Sequence, residues 1–311
     1  MCRQVPGVSI GATIARMDFP APLPDTPCYL NGSFTPLSEA KISVLDRGFI
    51  FGDGAYDVVP VYAGRAFRFA QHMARLERSL GELRIANPLS RDGWHDVVRQ
   101  LVAGQPGGGA GDHLVYLQVT RGVAMRDHSM LPGLTPTVFA MASPIKPPSA
   151  AQRAEGVACI TAEDFRWQKA HIKSTSLLGA VFARQLSVDA GAAETVMFRG
   201  EWLSEAAACN VWVIKNGTVM GPPRDHLVLE GIRYGLIESL CRQAGVGFEL
   251  RPISRAEVVA ADELLLSSAS KEVLPVTLLD GQPVGNGRPG PIYEQLYAGY
   301  QRAKQEEEAL T

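Results

Sequence analysis

The sequence is poor in cysteine and has no long apolar run. An odd and dispersed set of cysteines, without a C-x-x-C pair, is typical of free thiols in a reducing compartment and argues against a disulfide framework or a structural zinc site. We therefore expect no metal. No apolar run approaches the roughly 18 residues that a membrane span requires, so we expect no membrane partner. The five cysteines are Cys2, Cys28, Cys159, Cys209 and Cys241.

The chain also lacks an excess of charge of either sign. Thirty Lys and Arg residues stand against 32 Asp and Glu residues, for a formal net charge of −2. A nucleic-acid-binding surface needs a basic excess on one face, so no nucleic-acid partner is expected. Residues 1–7 lack the charged start and apolar core of a secretory signal. Together with the dispersed thiols, this predicts a cytoplasmic protein.

What remains is an ordinary globular composition, with 46% hydrophobic and 20% charged residues. At about 150 residues per domain, the length predicts one large domain or two ordinary ones. Prolines make residues 1–27 an extended N-terminal arm, and the tandem prolines within residues 144–149 predict a stiff linker. We expect a small α+β domain over 28–143 and a larger α+β domain over 150–311, with a ligand-binding cleft between them.

Glycine-containing dipeptides and apolar spacing predict the local structure. Tight turns between short strands indicate mainly antiparallel meanders. Apolar residues spaced by three and four predict amphipathic helices, two of them ending at left-handed glycine caps, Gly191 and Gly245. The predicted turns are Asn31-Gly32, Ala63-Gly64, Arg199-Gly200, Asn216-Gly217 and Asp280-Gly281. The predicted helices cover residues 71–84, 94–102, 177–190, 232–244 and 292–308.

Several polar residues could carry chemistry. Strand alternation places Tyr56 and Val58 on one face of their strand, and Tyr116 on the polar face of another. Arg126 and His128 lie two residues apart. If their segment is extended, both side chains point to one side and could clamp a carboxylate, although such a triplet is more often surface decoration.

Lysine and glutamate candidates remain open at this level. Lys173 precedes an apolar helix, but a lone lysine is usually a solvated surface charge, and Lys169 is equally eligible. Glu205 lies among small residues at the entry to a strand, where a carboxylate is either exposed or held for a cationic partner. Gly231 and Ile232 lie at a predicted helix start, whose free N–H groups can bind an anion.

The order and combination of the motifs carry more information than any one of them. The sequence contains D-R-G-F-x-F-G-D-G-x-Y at 46–56, H-x-x-R-L at 72–76, T-R-G-x-x-x-R-x-H at 120–128, H-I-K-S at 171–174, S-E-x-x-x-x-N-V at 204–211 and L-E-G-I at 229–232. This set resembles the fold type IV pyridoxal-phosphate aminotransferases, and among them most closely the D-amino acid aminotransferases. The resemblance covers about residues 28–300.

The resemblance implies a role for each matching residue. Lys173 corresponds to the Schiff-base lysine, and Glu205 to the carboxylate that faces the pyridine nitrogen of pyridoxal 5'-phosphate, bound mainly by the larger domain. Two positions depart from the family pattern: Arg233 replaces a threonine, and Ala269 stands where a hydroxyl residue often follows Ser268. Arg233 is therefore expected either to contact the phosphate or to point to solvent. The residues implied in phosphate binding are Arg75, Gly231, Ile232, Arg233, Ser268 and Ala269.

The same resemblance implies a substrate site shared between two subunits. Tyr56, Arg126 and His128 match the carboxylate-binding group, with Arg126 and His128 donated by the partner subunit, and Val58 and Tyr116 match pocket residues. The expected activity of this homodimer is amino transfer from a D-amino acid, D-alanine above all, to a 2-oxo acid such as 2-oxoglutarate.

Alternative activities remain on the same fold. They are a branched-chain aminotransferase, an (R)-amine transaminase and an aminodeoxychorismate lyase, and the T-R-G-x-x-x-R-x-H segment favours the D-amino acid enzyme over them. A cofactor-free binding protein is the non-enzymatic alternative, and the presence of both Lys173 and Glu205 argues against it.

Overall fold

Two β-sheets with helices packed on them form the protein. We describe the fold from a computed structural model, in which residues 25–306 can be described. Residues 1–24 of the expected N-terminal arm, and with them Cys2, lie outside this range. In the described part of the chain, every helix is too short or too polar to span a bilayer.

The first sheet is antiparallel throughout. Its strands are β1 (Pro27–Leu30), β2 (Ser33–Pro36), β3 (Gly54–Tyr62), β4 (Arg65–Ala66), β5 (His113–Thr120) and β6 (Thr137–Pro144), and the helices of this half are α1 (Arg47–Phe51), α2 (Phe69–Glu82) and α3 (Arg91–Ala103). The six strands lie in the order β2-β1-β6-β5-β3-β4. Apolar side chains of α2 and α3 pack with the sheet in one core that includes Leu76 and Trp94.

The second sheet has nine strands: β7 (Val157–Glu163), β8 (Glu194–Arg199), β9 (Trp202–Ala206), β10 (Asn210–Lys215), β11 (Thr218–Gly221), β12 (Gly247–Leu250), β13 (Glu263–Ser268), β14 (Glu272–Leu279) and β15 (Gln282–Pro283). They lie in the order β12-β11-β10-β13-β14-β7-β8-β9, with β15 paired to β14. The helices of this half are α4 (Ala150–Glu155), α5 (Leu178–Asp189), α6 (Arg233–Ala244), α7 (Arg255–Val259) and α8 (Pro291–Gln305).

Most strand pairs in the described residues are antiparallel, as the sequence predicts, but this second sheet is mixed. The strand pairs β7–β8, β11–β12 and β7–β14 are parallel. Parallel neighbours need a crossover, and α5 connects β7 to β8 as α6 connects β11 to β12. Turn dipeptides indicate only hairpins, so the turn pattern in the sequence did not predict the parallel strand pairs.

The local predictions are largely confirmed. The turn at Asn31-Gly32 joins β1 to β2, and Gly191 and Gly245 are left-handed at φ 66° and 67°. The predicted helices are all present, with ends displaced by at most three residues. The α+β class is therefore confirmed.

The two halves of the chain share one hydrophobic cluster. Tyr62 and Phe67 from the first half pack with Tyr234 of α6 and Tyr300 of α8. Residues 145–149 between the sheets form neither helix nor strand. This cluster couples the two sheets next to the cleft described below, while the division into two domains stays a prediction.

Candidate active site

A cleft of about 1260 Å³ collects side chains from both sheets. Most of the residues singled out from the sequence line it, although they are spread over more than 200 positions of the chain. The structure therefore brings them to one place. They are Tyr56, Val58, Arg75, Lys173, Glu205, Gly231, Ile232, Arg233, Ser268 and Ala269.

Lys173 is held in the cleft by its backbone. Its carbonyl accepts a hydrogen bond from the N–H of Tyr56 at 3.0 Å, and its N–H donates to Ser79 Oγ at 3.2 Å. Its Nζ lies 4.1 Å from the centroid of the Tyr56 ring. Lys169 is exposed and does not line the cleft. The two lysines that the sequence left equivalent are thus distinguished by position.

The glycines at 52 and 54 allow this placement. A Cβ on Gly52 would lie 2.7 Å from Ser176 Oγ and 3.0 Å from Ser176 Cα, and Gly52 has a left-handed φ of 66°. A Cβ on Gly54 would lie 2.7 Å from the carbonyl oxygen of Val119. A side chain at position 52 would push away the segment that follows Lys173, and one at position 54 would push away the backbone of β5, so the glycine-rich motif permits close backbone packing.

Glu205 lies on β9 with only 5% of its surface exposed. Arg166 Nη1 donates to Glu205 Oε1 at 2.9 Å, and Asn210 Nδ2 donates to Oε2 at 3.3 Å. Burial raises the pKa of Glu205 to about 7, and the positive charge of Arg166 offsets this only in part. The carboxyl group therefore changes charge near neutral pH, and a further cation beside it would favour the ionised form.

Arg166 is a site residue that the sequence reasoning missed. Asp164 holds its guanidinium in a two-pronged ion pair, with Nε to Oδ1 and Nη2 to Oδ2 both at 2.9 Å. Ser204 Oγ also donates to Asp164, at 2.8 Å. Burial would lower the pKa of Arg166, but Asp164 and Glu205 raise it, so the charge is fixed. The only local signal was an Asp and an Arg spaced by two, a spacing that permits such a fork.

A buried ion pair anchors Arg75 on α2. Arg75 donates from Nε and Nη2 to the two oxygens of Asp57, at 2.9 and 2.8 Å, and His72 Nδ1 lies 2.7 Å from Asp57 Oδ1. Burial opposes ionisation of Asp57, but Arg75 and His72 hold its pKa well below the usual range. Burial lowers the pKa of His72 to about 4, so this ring is neutral at neutral pH. Nη1 of Arg75 makes no hydrogen bond within residues 25–306 and remains available.

Arg233, at the first turn of α6, is the second cation at this end of the cleft. It is only 3% exposed, so the alternative that it points to solvent is wrong. Its Nε and Nη2 donate to the Tyr300 hydroxyl at 3.2 and 3.0 Å. No side chain caps the N-terminus of α6 at Ile232, which leaves first-turn N–H groups free for an anion.

This end of the cleft fits a phosphate group. Two buried guanidinium groups, of Arg75 and Arg233, line the cleft there, and the carboxylate of Asp57 pairs with Arg75. Ser268 adds a hydroxyl group, in a turn held by the hydrogen bond from the Lys271 N–H to Ser268 Oγ at 3.1 Å. The net positive charge, the helix N-terminus and the hydroxyl group are the features that bind phosphate esters.

Tyr116 does not line the cleft but packs behind a residue that does. Its ring stacks on that of Tyr56 with centroids 5.5 Å apart, and its hydroxyl donates to Gln118 Oε1 at 2.6 Å. Tyr116 therefore contacts the predicted substrate side only through the ring of Tyr56, which lines the cleft.

Arg126 and His128 are exposed and do not line the cleft of their own chain. Asp127 Oδ1 accepts hydrogen bonds from the N–H and the hydroxyl of Ser129, both at 2.7 Å, and the segment bends there. The expectation that this segment is extended is therefore wrong. Both side chains nevertheless face one ring, that of Phe51, at 5.5 and 5.3 Å. Their proposed grip on a carboxylate stays a prediction.

The described residues contain no group of three or more His, Cys, Asp or Glu side chains placed to hold a metal ion.

Comparisons with known proteins agree with this geometry. Residues 54–279 match the family Amino-transferase class IV. A D-alanine aminotransferase of Bacillus licheniformis is 36% identical over 281 residues, which cover 90% of this chain and 98% of that protein. A D-alanine aminotransferase of Staphylococcus aureus (strain COL) is 37% identical over 276 residues, which cover 88% and 96%.

A solved structure supports the fold. The branched-chain amino acid aminotransferase of Escherichia coli superposes with a TM-score of 0.81 at 22% identity, over 92% of this chain and 97% of that one. At that identity the likeness shows the fold alone. Because the family match spans most of the chain and relatives above 30% identity cover nearly all of it, this protein belongs to the class IV aminotransferases.

Proposed function

We propose that the protein is a pyridoxal-phosphate-dependent aminotransferase that moves the amino group of a D-amino acid, chiefly D-alanine, to a 2-oxo acid such as 2-oxoglutarate. One observation carries the proposal: the Lys173 amine and the buried Glu205 carboxyl group share a cleft whose far end holds two buried guanidinium groups. The relatives named D-alanine aminotransferase support the choice of donor.

The cationic end holds the cofactor's phosphate in this proposal. Arg75 and Arg233 supply charge, Ile232 and Arg233 supply N–H groups, and Ser268 supplies a hydroxyl group. Gly231 keeps the α6 start close to β10, since a Cβ there would collide with Asn210 Oδ1. When bound, pyridoxal phosphate supplies an aldehyde that accepts the amino group and a ring that accepts an electron pair.

Lys173 moves the proton. Its Nζ is the amine in the cleft that would hold the cofactor through its aldehyde, and as a free amine it would take the proton from the substrate Cα as a general base. The Tyr56 ring at 4.1 Å and the two backbone hydrogen bonds limit where Nζ can lie. A base at a defined position removes a hydrogen from one face of Cα only, which gives a stereospecific reaction.

Glu205 and Arg166 set the charge at the opposite end. An ionised Glu205 would favour a protonated ring nitrogen, and each pKa unit of that preference corresponds to about 1.36 kcal/mol. Arg166 keeps the carboxylate ionisable despite its burial, and Asp164 keeps Arg166 in place. The chain thus binds a cationic nitrogen without leaving an unpaired buried charge.

A second copy of the chain completes the site in our proposal. Helix α5 exposes Leu178, Val181, Phe182 and Leu186 at 69, 60, 60 and 41%, beside the cleft. Soluble proteins rarely leave so much contiguous apolar surface uncovered. A homodimer covers it and lets Arg126 and His128 of the partner reach the substrate carboxylate.

Replacing Arg126 by alanine should lower kcat/KM for D-alanine about 10- to 100-fold, because a charge-assisted hydrogen bond to the carboxylate is lost. Slow turnover of (R)-phenylethylamine, which has no carboxylate, should change little. Steady-state kinetics on both donors measures the difference. Arg91→Ala, which removes an exposed arginine at the start of α3 that does not line the cleft, serves as the control. Unchanged D-alanine kinetics would exclude the clamp.

A donor panel tests the function directly. Purified protein with 2-oxoglutarate should form D-glutamate from D-alanine faster than it forms any product from L-leucine, L-valine or (R)-phenylethylamine, as read by chiral chromatography. A preference for the L-branched-chain donors or for the amine would replace the proposed function with that alternative. A protein that binds no pyridoxal phosphate would revive the cofactor-free alternative.

Two further proposals concern organisation and location. We propose that residues 28–143 and 150–311 are separate domains joined by residues 144–149, as the two sheets built from 27–144 and 157–283 suggest. We also propose a cytoplasmic location, which the buried free thiols of Cys28, Cys159, Cys209 and Cys241 support.

A further inference from the structure

Helix α8 packs against residues that line the phosphate end of the cleft. It covers Pro291–Gln305 and lies wholly outside the family match at 54–279. Its N-terminus is fixed by Glu263, whose carboxylate accepts the N–H groups of Ile292 and Tyr293 at 3.0 and 2.9 Å. A helix anchored in this way can hold other groups at set positions.

The first contact of α8 with the cleft is the bond between Tyr300 and Arg233. The Tyr300 side chain is fully buried, and its hydroxyl accepts two hydrogen bonds from the one guanidinium group. Phe67 packs against both groups, 5.3 Å from the Tyr300 ring and 5.7 Å from Arg233 Cζ. Nη1 of Arg233 makes no hydrogen bond in the described part of the chain, and Arg233 lines the cleft.

The second contact reaches the other wall of the same end. Gln301 Nε2 and Lys304 Nζ donate to the carboxylate of Glu272 at 2.9 and 2.8 Å. Glu272 has a left-handed φ of 58° and closes the turn that begins at Ser268. Because residues 268–270 line the cleft, one helix braces both the cationic wall and the hydroxyl-bearing wall.

The Tyr300 hydroxyl restricts the freedom of Arg233. An arginine side chain has many rotamers, and fixing it costs conformational entropy. A hydroxyl that accepts from Nε and Nη2 together fixes the plane of the guanidinium group, so that Nη1 has one direction left. Arg233 is therefore held by a hydroxyl group, whereas Arg75 is held by the carboxylate of Asp57.

We propose that Tyr300 is a positioning residue of the phosphate site, which holds Arg233 so that its Nη1 binds the phosphate of the cofactor. Through Tyr300 the C-terminal helix sets the affinity for phosphorylated cofactor. This inference rests on the proposed function, since the anion is taken to be the phosphate of pyridoxal phosphate. It also gives a reason for arginine at the position where the family pattern has threonine.

The test compares two ligands that differ only in the phosphate. Cofactor-free Tyr300→Phe should bind pyridoxal phosphate about tenfold more weakly than the unmodified protein does, because one charge-assisted contact is no longer held in place. Its affinity for pyridoxal should not change. Both affinities are measured by absorbance titration, and Tyr297→Phe, which removes a hydroxyl from the same helix one turn earlier, should change neither.

The double variant separates positioning from general support. In an Arg233→Lys background, where the fork is absent, adding Tyr300→Phe should have no further effect on the ratio of the two affinities. Three results would overturn the inference: an unchanged ratio of the two affinities in Tyr300→Phe, equal losses of affinity for both ligands, or additive effects on the ratio in the double variant. If circular dichroism shows that Tyr300→Phe does not fold, the single variant Arg233→Lys is the test. An unchanged ratio of the affinities for pyridoxal phosphate and pyridoxal in Arg233→Lys would then overturn the inference.

The two proposals fail in different ways. If the unmodified protein does not prefer pyridoxal phosphate to pyridoxal, the phosphate site of the proposed function is wrong. If it does prefer pyridoxal phosphate and Tyr300→Phe keeps that preference, only the role of Tyr300 is wrong.

Discussion

Replacing Lys173 by alanine should reduce transamination by about 10⁴-fold or more, the upper range for loss of a positioned general base. The amine is lost both as the group that binds the aldehyde and as the base at Cα, and no other lysine lines the described cleft to replace it. Single-turnover kinetics with D-alanine measures the loss. Both hydrogen bonds of residue 173 use its backbone N–H and carbonyl groups, which alanine keeps, so the substitution should leave the fold intact.

Lys169→Ala is the matched control, since Lys169 lies four residues away on an exposed segment. It should retain full activity. Borohydride reduction of the yellow holoenzyme should link the cofactor to the peptide that contains Lys173, and to no peptide in Lys173→Ala. Covalent label on Lys169, or full activity in Lys173→Ala, would show that the assignment is wrong.

Glu205→Gln should lower kcat about 10²- to 10³-fold, the range for removal of one preorganised electrostatic contact at a reaction centre. The amide keeps the size of the carboxyl group but cannot carry the negative charge that favours a protonated ring nitrogen. Affinity for the cofactor should fall far less, because the phosphate end supplies most of the charge. Glu201→Gln, at an exposed position in the adjacent hairpin turn, is the control. Equal kcat in the Glu205→Gln and unmodified proteins would remove the proposed role.

The same variant has a second signature in the cofactor-free protein. Burial places the pKa of Glu205 at about 7, above the ordinary value of 4.5. The folded state therefore binds this proton more tightly than the unfolded state does, and the stability so gained is lost as the pH rises through 7. Between pH 5 and pH 8, the free energy of unfolding should fall more in the unmodified protein than in Glu205→Gln. Parallel pH profiles from urea unfolding would contradict the shifted pKa.

Local elements could be read from the chain because their causes are local. The turn at Asn31-Gly32 depends on residues that tolerate positive φ, and both have it, at 49° and 95°. The cap at Gly245 depends on a single left-handed residue. The alternation that placed Tyr56 and Val58 on one face depends on the period of a strand, and both residues line the cleft.

Contacts between distant segments could not be read in the same way. The α5 and α6 crossovers make parallel strand pairs where turn dipeptides suggested only hairpins. Asp127 bends the loop that carries Arg126, because a side chain competes with the extended backbone for hydrogen bonds. No spacing rule connects Arg166 with Glu205, 39 residues further along the chain.

The linear order of motifs was enough to identify the family and to name ten of the residues that meet in the cleft, because the resemblance depends only on residue identity and order. The choice of Lys173 over Lys169 and the burial of Arg233 against Tyr300 arose only on folding. These features are set by packing between α2, α6, α8 and both sheets, where burial and charge act through space rather than along the chain.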